Sequence, residues 1–233
     1  MTGRAGRTNA VTPAVETEGL SRRYGRRWAL RDVSVAVPKG AVVMLAGRNG
    51  SGKSTLLRVL ATALHPDHGR ARVLGLDVRR EREAVRRKVA LLSHHSYLYE
   101  ALSARENLAV AARFLGRPDD LALLARVGLA ARADDPVLSF SAGMRKRLAL
   151  ARVLLQQADV VLLDEPYGEL DPPGFDLLDG AIAELKARGS TVVMATHLVE
   201  RGRRLCDRAL MLEDGQLAWS GVAAAMPDPA VGE

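Results

Sequence analysis

Gly47-Arg48-Asn49-Gly50-Ser51-Gly52-Lys53-Ser54-Thr55 stands between the apolar run Val42 to Ala46 and the segment Leu56-Leu57-Arg58-Val59-Leu60. The spacing is GxxxxGK[ST], and a strand before it with a helix after it is the context in which that spacing makes a phosphate-binding loop. The glycines let the backbone wrap closely, so that several N–H groups and the N-terminus of a helix over Thr55 to Ala63 point at a phosphate chain. Lys53 then reaches the β- and γ-phosphates, and Ser54 offers its hydroxyl to Mg²⁺. Gly47, Arg48, Asn49, Gly50, Ser51, Gly52, Lys53, Ser54 and Thr55 are therefore the candidate contacts to a nucleoside triphosphate with magnesium.

Outward from this loop, apolar runs of strand length recur at Val33 to Val37, Ala41 to Ala46, Val89 to Leu92, Val160 to Leu163, Thr191 to Ala195 and Ala209 to Leu212. Their alternation with helix-length segments predicts an α/β protein with a mostly parallel central sheet. Residues 96–158 interrupt it with 3.6-residue periodicity, one face being Leu108, Ala111, Ala112 and Leu115 and another Leu121, Leu124, Ala125 and Val127. This stretch reads as an inserted helical subdomain, punctuated by Pro118-Asp119-Asp120 and Asp134-Asp135-Pro136. Residues 1–14 read as a flexible tail and 15–233 as one domain, with 15–95 and 159–220 as its α/β core.

Val160-Val161-Leu162-Leu163-Asp164-Glu165 is a buried-type strand ending in two acids. Asp164 can hold Mg²⁺ in the manner of a Walker-B residue, and Glu165 can orient or deprotonate an attacking water. Neither acid alone is diagnostic; the upstream phosphate loop gives the pair its meaning.

Composition narrows the alternatives. The 233 residues are 48% hydrophobic and 26% charged, an ordinary globular balance. No run approaches the roughly 20 apolar residues of a membrane-spanning helix. A net charge of +7, mostly from Arg, fits an anionic partner or coding composition alike. The single cysteine, Cys206, excludes an intrachain disulfide and reads as a buried thiol.

Ser139-Phe140-Ser141-Ala142-Gly143-Met144-Arg145-Lys146-Arg147-Leu148 precedes the acidic strand and resembles the LSGGQ-type signature of ABC-transporter ATPases. Leu170-Asp171 is similar to that family's D-loop, Thr196-His197 to its switch histidine, and Tyr24 to the aromatic that stacks on adenine. The resemblance spans about residues 15 to 220. It implies a RecA-like P-loop NTPase core with a small antiparallel β subdomain, hydrolysing ATP with Mg²⁺. It further implies a head-to-tail homodimer in which Ser141 and Gly143 of one copy meet the ATP of the other, with Lys53, Glu165 and His197 serving catalysis. Separate integral membrane subunits would be its partners, with no nucleic acid, at the cytoplasmic side of the cell membrane.

Departures from the pattern are also informative. Back-counting from Arg105-Glu106-Asn107-Leu108 puts His95 where the family keeps a glutamine, and the signature carries Phe140, Ala142 and Met144. An imidazole at position 95 could meet phosphate or the magnesium shell through water, with a charge that varies near neutral pH. Together with Leu92-Ser93-His94-His95-Ser96-Tyr97-Leu98-Tyr99-Glu100, these departures resemble the branch that exports haem for cytochrome c maturation. Export of a drug, lipid or ion is the alternative within the family. Tyr97-Leu98-Tyr99 either faces the membrane partner or pins the helical insertion.

Overall fold

A computed structural model of the chain describes residues 13–93 and 96–228. In chain order the elements are β1 (Val15–Tyr24), β2 (Arg27–Val37), β3 (Val42–Ala46), α1 (Lys53–Leu60), β4 (His68–Val73), β5 (Leu76–Asp77), α2 (Arg82–Lys88) and β6 (Val89–Leu92). The insertion follows with α3 (Ala104–Leu115), α4 (Ala122–Arg126) and α5 (Ala142–Gln156), and the core resumes with β7 (Val160–Asp164), α6 (Pro172–Ala187), β8 (Thr191–Ala195), α7 (Val199–Leu205), β9 (Arg208–Glu213) and β10 (Gln216–Val222). One sheet is antiparallel with order β2-β1-β4-β5. The other has order β10-β9-β3-β8-β7-β6 and is parallel except for β10.

The α/β class is as expected, and each of the six predicted runs, apart from Ala41, lies in a strand of the second sheet or, for Val33 to Val37, in β2. β3, β7 and β8 are buried at every residue, which is why they read as unbroken apolar runs: both faces of a parallel sheet are covered. Val161, Leu163, Val192 and Met194 pack with Leu150 of α5 and Ile182 of α6. Their neighbours Val160, Leu162, Val193 and Ala195 pack on the opposite face with Leu56 and Leu60 of α1 and Leu20, Leu30 and Val33 of the antiparallel sheet. Burying a side chain of this size stabilises by about 1.5–3 kcal/mol, so the two layers fix the sheet from both sides.

Residues 1–12 of the expected tail lie outside the described residues. Ala14 is buried and its N–H donates to the Val37 carbonyl at 2.8 Å, so the ordered sheet begins before β1. In the insertion, α3 opens on a capping box between Ser103 and Glu106 and closes at Gly116 with φ 62°. The apolar face of α4 differs from the predicted one. Leu123, Leu124 and, just beyond the helix, Val127 are buried, whereas Leu121 and Ala125 face solvent, because α4 is too short to carry a full helical stripe.

One close approach seats α7 on the sheet below the loops. Gly202 of α7 lies so close to β3 that a Cβ there would sit 2.1 Å from the Met44 sulfur. Cys206, at the end of α7, is buried, and burial with nearby Asp207 pushes its thiol up to about 12, which makes it inert as a nucleophile.

Candidate nucleotide-hydrolysis site

The order β3-β8-β7 sets three loops side by side at the carboxyl edge of the parallel strands, where open α/β sheets bind ligands. Gly47 to Gly52 follows β3, Asp164-Glu165 ends β7, and Thr196-His197 follows β8. Adjacent strands therefore deliver residues that are far apart in sequence.

The phosphate loop closes around its own lysine. Lys53 Nζ donates to the carbonyls of Gly47 at 2.7 Å and Arg48 at 3.0 Å. Burial pulls its ammonium below the usual lysine range, and the Glu165 and Asp164 carboxylates offset part of that. Gly47 has φ 136° and Gly52 φ 106°, and a Cβ on either would come within 2.2 Å of the Leu212 carbonyl or 2.3 Å of the Ala29 carbonyl. Only glycine fits both places. Ser51 Oγ is buried inside the loop and makes no hydrogen bond among the described residues.

Ser54 Oγ donates to Asp164 Oδ1 at 2.8 Å, and Asp164 is 2% exposed. A hydroxyl and a carboxylate converging in this way form a hard-oxygen donor set that suits Mg²⁺ held by one carboxylate plus substrate phosphates. Among the described residues no group of three or more His, Cys, Asp and Glu side chains could hold a metal ion.

Glu165 sits at φ 46°, a left-handed conformation rare for a residue with a side chain, and its N–H donates to the Ala195 carbonyl at 2.9 Å. Strain of this kind gathers at functional sites. The consequence is a carboxylate turned toward the end of β8, where His197 Nδ1 lies 2.8 Å from Oε2. Two residues on, the buried Tyr167 hydroxyl donates to Asp179 of α6 at 2.6 Å, and Arg201 Nε of α7 donates to the same carboxylate at 2.9 Å. The Arg201 guanidinium stands 5.4 Å from the Tyr167 ring and 5.0 Å from Phe175. Burial and the Asp179 carboxylate both raise the Tyr167 phenol, keeping it a donor. This cluster ties the segment after Glu165 to the helix after His197.

A cleft of about 410 Å³ opens between the loop and the β1–β2 turn, within the roughly 300–1,000 Å³ of small-molecule sites. Tyr24, Asn49, Gly50, Gly52, Lys53, Ser54, Thr55 and Glu165 line it, together with Arg27 and Ala29, which sequence reasoning missed. The available signal for Arg27 was its place in the arginine-rich turn beside Tyr24. Tyr24 is about half exposed at the rim, with the Arg22 guanidinium 5.2 Å from its ring. Gly47, Arg48 and Ser51 shape the loop from outside the lining, and Asp164 and His197 join through Ser54 and Glu165.

Ser141 and Gly143 are not part of this cleft. Ser141 is exposed at the N-terminus of α5, where its Oγ accepts from the Met144 N–H at 3.2 Å. Gly143 abuts the D-loop segment, a Cβ there falling 2.8 Å from the Glu169 carbonyl. His95 lies outside the described residues.

A loop wrapped on a lysine, feeding a helix beside an aspartate-terminated strand, is the arrangement of P-loop nucleoside triphosphatases. Within that class the sequence profile of the ABC transporter family matches residues 30–168. A daunorubicin resistance ATP-binding protein of Streptomyces coeruleorubidus is 38% identical over 218 residues, 90% of this chain and 68% of the relative. A Nod factor export ATP-binding protein of Mesorhizobium japonicum is 34% identical over 230 residues, 96% of this chain and 68% of the relative. Among solved structures, an ATP-binding subunit of an ABC transporter superposes with TM-score 0.84 at 29% identity, covering 90% of each chain. The chain belongs to the ABC transporter ATPases and is an ATP-binding subunit of that family. Its expected place in the haem-export branch finds no support among these relatives, which are named for drug resistance and Nod factor export.

Proposed function

We propose that the chain hydrolyses ATP to drive export of an amphipathic organic molecule through separate membrane subunits, working as one half of a head-to-tail pair. The convergence of Lys53, the Ser54–Asp164 contact and the Glu165–His197 contact in one cleft edge is the observation that carries the catalytic part. Likeness to the daunorubicin and Nod factor proteins supports the substrate class, and replaces the haem reading drawn from Leu92 to Glu100.

In this reading Lys53 turns its N–H donors from the loop carbonyls to the phosphates, and the loop N–H groups share the charge. Mg²⁺, held by Ser54 and Asp164, would neutralise phosphate oxygens. Glu165 accepts a proton from the attacking water, and His197 steadies its carboxylate and meets the γ-phosphate. Tyr24 stacks on the base, with Arg27 beside the phosphates. Ser141 and Ala142 at the α5 N-terminus are exposed, Gly143 is half-buried, and Ser141 and Gly143 lie off their own cleft, which supports their meeting the nucleotide of a second copy. A relative fold, 24% identical with TM-score 0.82, is a dimeric ATP-binding cassette bound to ADP and Pi.

The membrane partner's place is supported by an apolar groove of about 420 Å³ between β6, α3 and α5. Tyr97, Tyr99 and Phe114 project at its mouth, 69%, 53% and 83% exposed, and exposed aromatic side chains of this kind suit interface anchoring. The segment that carries them is held from both sides. Arg152 donates to the Ser96 and Tyr97 carbonyls at 3.1 and 2.8 Å, and Asn107 exchanges two hydrogen bonds with the Tyr99 backbone at 2.9 and 3.0 Å. Among the described residues no helix is long and apolar enough to cross a membrane.

Inverted vesicles carrying the chain with its candidate membrane subunit test the whole reading. ATP-dependent uptake of daunorubicin, with none of haem, is the expected result; haem uptake without daunorubicin uptake would reinstate the discarded branch. Replacing both Tyr99 and Phe114 by Ala is expected to cut co-purification of the membrane subunit by about tenfold or more, on the scale of losing interface anchors. ATP hydrolysis by the isolated subunit should stay within about twofold, because neither residue lines the nucleotide cleft.

A further inference from the structure

Three residues from the first two turns of α5 lie against the segment 165–171. Gly143 touches the Glu169 backbone, Arg147 pairs with Asp171, and between them stands Lys146. Lys146 is only 5% exposed, and among the described residues its ammonium makes no hydrogen bond and no ion pair within 4.0 Å but keeps contact with solvent at a cleft. It lines a second cleft, together with Glu169 and the segment Ser96 to Leu98. Glu169 itself is held at φ 70°. Partial desolvation of a charge without a contact partner still carries a cost, which a methionine filling the same space would not.

Charge explains why an amine is tolerated. Lys146 interacts electrostatically with Glu169, Asp164 and Glu165, in that order of strength, and these pull its ammonium back up against the larger lowering by burial. Asp164 and Glu165 are the two acids that must sit beside a polyphosphate. Lys53 is the other buried ammonium that feels both. A low local dielectric lets a charge act over more than contact distance.

We infer that Lys146 is a positioning residue for hydrolysis: from beneath the signature turn its positive charge offsets Glu169 and steadies the Asp164–Glu165 pair, linking the helix that carries Ser141 and Gly143 to the hydrolytic carboxylates of the same chain. The inference rests on the proposed roles of Asp164 and Glu165, and adds a residue to them.

Steady-state ATPase rates, ATP affinity by titration with a fluorescent ATP analogue, and thermal midpoints would be compared for K146M, K146Q, K146R and K146M/E169Q in the full chain. The expected result is a fall in kcat of about tenfold in K146M and K146Q, the scale of one charge lost from a preorganised site. ATP affinity should stay within about twofold, K146R should recover most of the rate, and E169Q should restore part of it to K146M by removing the uncompensated acid. A wild-type kcat in K146M would overturn the inference. So would equal loss in K146R and K146M with matching falls in thermal midpoint, since packing would then explain everything. If K146M does not fold, K146Q carries the same comparison. Failure of the underlying reading shows separately, as wild-type hydrolysis in E165Q.

Discussion

Glu165→Gln is expected to leave ATP binding intact and to slow hydrolysis by about 10²-fold or more, the scale on which losing a group that acts in the transition state is felt. The substitution keeps size, backbone strain and the ability to accept a hydrogen bond from His197, and removes only the basicity. Because the carboxylate is fixed at φ 46° and tied through its N–H to Ala195, the amide should occupy the same place. Single-turnover hydrolysis separates chemistry from product release, and light scattering should show an ATP-bound pair that persists. Hydrolysis at the wild-type rate would remove Glu165 from the role of base.

Gly52→Ala should have a comparably large effect by a different route. At φ 106° an alanine is strained, and its Cβ would lie 2.3 Å from the Ala29 carbonyl and 2.9 Å from Leu30 Cδ2. No side-chain rotation relieves a backbone clash, so the loop must shift, and misplacement of about 1 Å at such a site can cost about 10²-fold. Titration with a fluorescent ATP analogue should show affinity weakened by that order. Urea denaturation should show about 1–3 kcal/mol of lost stability. Gly189→Ala is the control: its φ is 81° but nothing lies within 4 Å of the added methyl. It should cost about 1 kcal/mol and leave nucleotide binding unchanged. Unaltered affinity in G52A would mean that the loop adapts.

The parallel sheet was legible because β3, β7 and β8 are apolar at nearly every position, a pattern that only a doubly covered strand sustains. The antiparallel sheet was not, except by family resemblance. In β1 and β4, Glu16, Glu18, Arg70 and Arg72 alternate with core residues, and register shifts around Gly19 break the period of two. Asp164 and Ser54 were legible as partners through motif spacing, and their 2.8 Å contact follows from β3 and β7 lying on either side of β8. The Glu165–His197 contact depends on strand order, which no local pattern encodes. Lys146 was hidden for the opposite reason: among Arg145 and Arg147 it reads as one more solvated cation, and only the packing of α5 against the segment after β7 takes it out of water. The haem branch was read from loop residues around His95 and from signature substitutions, and the relatives similar over the whole chain are instead named for drug resistance and Nod factor export.

The close seat of Gly202 on Met44 limits how a phosphate contact at His197 can be passed on. Because a Cβ at Gly202 would meet the Met44 side chain, α7 lies in close contact with the strand that feeds the phosphate loop, and a slide along β3 has to push the Met44 side chain aside. The slack lies in three residues, Thr196 to Leu198, where the Thr196 hydroxyl accepts from the Leu198 N–H at 3.1 Å. In the proposed mechanism His197 would thus act as a latch on a short tether rather than the tip of a moving lever. Any wider motion has to leave through the segment after Glu165, which the Tyr167–Asp179–Arg201 cluster ties to α6 and α7.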